Sequence, residues 1–82
     1  MTCVITRDIG DFRVTLRPLE RSVTMAGRGR VERWGFDAVA ERLRFYRFLV
    51  EVSRTGGFYA GDVAAWEVAL REVRRLDRRW AA

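Results

Sequence analysis

Arginine is abundant in this 82-residue chain, cysteine occurs once and histidine not at all. Cys3, Ser22 and Ser53 are its thiol and serine hydroxyls, and there is no imidazole to take a proton from any of them. A nucleophile without a base is not activated, so Ser or Cys triad chemistry is excluded. A Cys/His zinc site and a disulfide framework fail on the same counts. Asp8 and Asp11 form a pair of carboxylates around Gly10, but two acids beside a glycine are ordinary turn residues. Cys3, placed in a strand, reads as a small buried apolar side chain. The chain is expected to be no enzyme and to need no metal or cofactor.

The remaining chemistry is that of guanidinium, which grips carboxylate and phosphate bidentately. Arg71, Arg74, Arg75, Arg78 and Arg79 lie within nine residues, and at 100° per residue they share an arc of about 140°. Such a face suits phosphates, although cations near a helix C-terminus also complement its dipole. Arg28 and Arg30 project from Gly27-Arg28-Gly29-Arg30. That turn fits an acidic surface or a phosphate, and it fits an ordinary hairpin equally well. It lacks the Lys-Ser/Thr of a phosphate loop. Phe48 falls beside a wet stripe of Arg44, Arg47, Glu51 and Arg54. An aromatic ring framed by arginine has the composition of an interface anchor.

The elements that must hold these groups follow from hydrophobic period. Alternation over about 2–7 and cleanly over 12–17 predicts two strands, with Asp8-Ile9-Gly10-Asp11 as the turn. Pro18 ends the second strand. Strands over about 21–26 and 31–34 complete an antiparallel meander of three to four strands. The wet face of that meander carries Arg13, Thr15, Arg17, Ser22 and Thr24. Asp37 is expected to N-cap a helix over 38–54, which Thr55-Gly56-Gly57 terminates. This helix is apolar around more than half its circumference and should be sandwiched. Asp62 is expected to cap a second helix over 63–80, after a connector of about six residues. Trp66, Ala69, Leu70, Val73, Leu76 and Trp80 form its apolar arc, and Glu67 stands four before Arg71 for an ion pair. The expected architecture is a single α+β domain over 1–82, the meander packed against an antiparallel two-helix hairpin.

The formal net charge is +5, but acids are interleaved with the arginines throughout, unlike a basic arm. The connector is too long for a helix-turn-helix, and the exposed strand face lacks the aromatics of an RNA-binding sheet. No apolar run approaches a membrane span and no targeting segment is visible, so a cytoplasmic location is expected, with Cys3 reduced. A short, all-arginine, motif-free chain of this kind resembles the small proteins encoded by phages and mobile elements, among them the anti-CRISPR proteins. That resemblance implies an inhibitor or adaptor that occludes an acidic protein or nucleoprotein complex. The set expected to carry contact is Arg28, Arg30, Arg44, Arg47, Phe48, Arg71, Arg74, Arg75 and Arg78. The alternative is a basic regulator holding nucleic acid by its phosphates, and a homodimer through the aromatic helix is a third option.

Overall fold

A computed structural model describes residues 3–54 and 56–81. Four strands run in chain order as an antiparallel sheet: β1 (Ile5–Ile9), β2 (Phe12–Arg17), β3 (Ser22–Gly27) and β4 (Arg30–Gly35). A single 3₁₀ turn (Phe36–Ala38) leads into helix α1 (Val39–Val52), and helix α2 (Gly56–Ala81) follows. This is the expected meander and hairpin, but the first strand runs over 5–9 instead of 2–7, its turn is Gly10-Asp11 alone, and 30–35 is a full strand.

The register explains which residues point inward. Leu16 pairs with Ile5 and Val23, Val14 with Arg7 and Met25, and Phe12 with Ile9 and Gly27. Directly paired residues share a face, so the apolar side of β2 and β3 meets the helices, and Phe12, Val14, Leu16, Val23 and Met25 are all buried. The same parity puts Arg30, Glu32 and Trp34 of β4 on the helix side of the sheet, opposite Gly27, Met25 and Val23, although Trp34 at this edge strand stays exposed. Arg28 (φ 52°) and Gly29 (φ 75°) form the tight turn between β3 and β4. Two positive φ values are what a two-residue hairpin with the right twist requires.

Several local expectations are corrected. Neither helix begins where an aspartate was expected to cap it. Ala38 precedes α1 with no side-chain cap bond, and Asp37 lies in the 3₁₀ turn. The second helix starts at Gly56 and takes in the whole Phe58-Tyr59-Ala60-Gly61 stretch, so Asp62 is inside it. The connector is therefore three residues, 53–55. Its length no longer separates this pair from a helix-turn-helix, but antiparallel packing does. Tertiary contact overrides the glycines. Tyr59 lies 6.2 Å from the Tyr46 ring, and a Cβ on Gly61 would stand 3.3 Å from Phe12. Glycine there lets the helix close on β2. Cys3 precedes β1 and is exposed rather than buried. Ser22, expected on the wet face, is buried.

Trp66, Ala69, Val73 and Leu76 of α2 are buried against α1 and the sheet, with Val39, Leu43 and Tyr46 opposite. Tyr46 stacks on Trp66 with 14° between ring planes. The side chains of Arg79 and Trp80 lie outside those described. Helix α1 is not sandwiched: Phe45, Phe48 and Val52 remain exposed on its outer side. Among the described residues no helix is long and apolar enough to cross a membrane.

Candidate functional site: an arginine-lined groove

The arginines fall into two populations. Those on the sheet are bound to groups within the protein. Arg30 Nη2 donates to Asp62 Oδ1 at 2.5 Å and its Nη1 to the Tyr46 hydroxyl at 3.0 Å. Asp62 is 1% exposed, and its second oxygen has no hydrogen-bond partner among the described residues, so the Arg30 guanidinium is what balances it. Burial would lower the Arg30 pKa, but the bonds to Asp62 and Tyr46 outweigh it and raise the value. Beside this pair Arg42 of α1 donates to Glu32 at 2.5 Å and lies over the rings of Trp34 and Phe45 at 4.6 and 4.8 Å. Tyr46 and Trp34 also donate to Glu32, at 2.6 and 3.1 Å. Burial pushes the Glu32 carboxyl up, yet these donors and Arg42 hold it below the ordinary glutamate value. The Tyr46 phenol is raised by burial and by the carboxylate it meets.

Arg28 reaches across to α2, donates to the Phe58 carbonyl and lies 4.7 Å from the Phe58 ring. Arg7 of β1 meets Glu72 of α2 at 3.6 Å, and Arg75 meets the same carboxylate at 3.8 Å. Arg13, Arg21 and Arg33 are likewise paired, with Asp8, Asp77 and Glu20.

The second population sits on the helices. Arg44, Arg47, Arg71, Arg74 and Arg78 are exposed and make no hydrogen bond or ion pair with any described residue. The expected Glu67–Arg71 pair does not form. Four of these arginines converge. An open groove of about 770 Å³ runs along the outer seam of α1 and α2, with Leu43 and Leu70 as its apolar floor. Arg47 rises from α1, and Arg71, Arg74 and Arg78 from α2; Glu67 and Asp77 complete the lining. Arg47 also borders a smaller depression of about 290 Å³ further along the seam, beside Val50 and Val63. Helical spacing makes this possible, since 71, 74 and 78 stack on one face of α2.

Of the nine residues expected to carry contact, the structure therefore gathers Arg47, Arg71, Arg74 and Arg78. Arg44 and Phe48 lie on a different side of α1. Arg28, Arg30 and Arg75 are engaged internally. Sequence reasoning missed Asp62 as the buried partner of Arg30 and Glu72 as that of Arg7. One signal was available: Asp62 stands four residues before Trp66, on the apolar arc, and an acid there requires a cation. Among the described residues no three His, Cys, Asp or Glu side chains come together as a metal site would need. Comparison with protein-family models, with curated proteins and with solved structures finds no match to this chain.

Proposed function

We propose that this protein is a non-catalytic binding module whose α1–α2 groove takes an acidic segment of a partner protein. The observation that carries this reading is the convergence of Arg47, Arg71, Arg74 and Arg78, all internally unengaged, over Leu43 and Leu70. Four close cations repel one another, and an acidic ligand relieves that repulsion. The apolar floor favours a ligand with apolar as well as acidic groups, and the Glu67 carboxylate, unpaired among the described residues, disfavours one that carries negative charge alone. A polypeptide offers both carboxylates and apolar side chains, whereas a phosphate backbone offers one sign of charge alone. The arginine surface is what supports extending the reading to an inhibitor or adaptor of the phage-encoded, anti-CRISPR kind, acting on an acidic protein or nucleoprotein complex.

A second reading rests on the same four guanidinium groups, which four consecutive phosphates would also satisfy. The two are separated by titrating the protein, by fluorescence anisotropy, with a synthetic amphipathic Glu/Leu helix and with duplex DNA at several salt concentrations. The peptide is expected to bind at least tenfold more tightly than the duplex at about 150 mM salt. Reversing charge at Arg71 and Arg74 together is expected to remove that binding. If the peptide fails to bind while duplex affinity falls with a log–log salt slope near −3.6, as four phosphate contacts give, the groove holds nucleic acid.

A further inference from the structure

Helix α1 carries a second surface that the groove does not use. Phe45, Phe48 and Val52 are 45%, 57% and 58% exposed. Their i, i+3, i+7 spacing places them within about 60° of one another on the helix. Trp34 of β4 extends the stripe, because the Arg42 guanidinium bridges its ring and that of Phe45. Exposed aromatics in a contiguous line on a small domain mark a contact surface. The flank of the stripe identifies what covers it. Arg44 and Glu51 lie on one side of it, two turns apart, and neither has a partner among the described residues.

From this we infer that the α1 stripe is a homodimer interface, with two copies of α1 packed antiparallel about a two-fold axis. Seven residues separate Arg44 from Glu51, about 10.5 Å along the helix. Inverting one copy brings each Arg44 to the level of Glu51 on the other, and the two-fold axis makes that pairing twice. The same inversion sets Phe45 against Phe48 of the second copy, a seam of the a/d kind. A parallel arrangement loses this charge match, since residues on one flank then no longer face each other. The surface is self-complementary, as an isologous interface must be. Leu43 and Arg47, which line the groove, project about 100° or more from Phe48, so both grooves stay open. The assembly presents two acid-binding sites to one partner, and linkage raises avidity without new contacts.

The stripe is modest in area, so association is weak and depends on concentration. Sedimentation equilibrium of the full chain between about 10 and about 500 μM is expected to show a monomer–dimer equilibrium in that range. Phe48→Glu, an exposed site whose helicity is checked by circular dichroism, is expected to leave only monomer. Arg44→Glu is expected to weaken the dimer at least fivefold, and Arg44→Glu with Glu51→Arg to restore it to within about twofold, as complementary surface charges do. A wild-type monomer at about 500 μM, a dimer indifferent to Arg44→Glu, or a double variant that fails to recover would each overturn the inference. Groove variants at Arg71 and Arg74 are expected to dimerise normally, which separates failure here from failure of the binding reading.

Discussion

The sheet and the outer helix faces use the same side chain for opposite purposes. On β4, Arg30 is tied to a carboxylate that has almost no access to water. On α2, Arg71, Arg74 and Arg78 project into an open groove with no hydrogen bond or ion pair to a described residue. The lesson is that arginine count does not locate a binding surface. What matters is whether the acids of the fold have already taken the cations. Asp8, Asp11, Glu20, Glu32, Asp62, Glu72 and Asp77 each have an arginine partner, and most of those partners come from the sheet. Among the described residues the helix arginines other than Arg42 and Arg75 are surplus, and four of them converge in one place.

Substitutions test this contrast in order of size. Arg30→Met is expected to have the largest effect. Removing one member of a buried pair costs about 3–5 kcal/mol, and the partial exposure of Arg30 reduces that to about 2–3 kcal/mol. Chemical denaturation measures it, and a loss below about 1 kcal/mol would place Arg30 with the groove arginines instead. Next comes Glu32→Gln, with an expected cost of about 1 kcal/mol at neutral pH because Glu32 accepts from Arg42, Tyr46 and Trp34. The pH profile of stability sharpens the point. The Glu32 pKa is lower in the folded protein than unfolded, so its contribution is present above about pH 4.3 and is lost as pH falls through the folded value. Asp8, held down by its hydrogen bond from Arg13, acts in the same direction. Glu32→Gln is therefore expected to flatten the acid limb in part. At the alkaline end the raised Tyr46 pKa gives stability present below about pH 10 and lost as pH climbs through the folded value. The smallest effect is expected at the groove. Replacing Arg71, Arg74 and Arg78 together with Gln should move the unfolding free energy by no more than about 0.5 kcal/mol. A large loss on thermal unfolding would show that these arginines serve the fold after all.

Much of the architecture is legible from period alone. Alternation from Phe12 to Leu16 identifies a one-face-wet strand, and the core of α2 falls on the arc that Trp66, Ala69 and Val73 define. The groove arginines are legible too, because they are spaced along single helices and need no tertiary information to share a face. Arg28 and Arg30 are not, since the groups that hold them, Phe58 and Asp62, stand 30 and 32 residues further along. Sequence distance of that order hides a partner. The start of α2 is hidden for a related reason. Three glycines between 56 and 61 signal a break locally, while the approach of Gly61 to Phe12, the Tyr59–Tyr46 contact and the Arg28 bond to Phe58 hold the segment against the sheet and α1. Phe45, Phe48 and Val52 mislead in the other direction. Their apolarity suggests burial, and they stand in water because no third layer covers α1.

The inward charges of the outermost strands have one more consequence. Arg7 on β1 and Arg30 and Glu32 on β4 face the helices and are bound there. A foreign strand laid along either margin would set its own inner side chains beside these fixed ionic groups. Inward-pointing charges of this kind on edge strands disfavour strand addition at either margin.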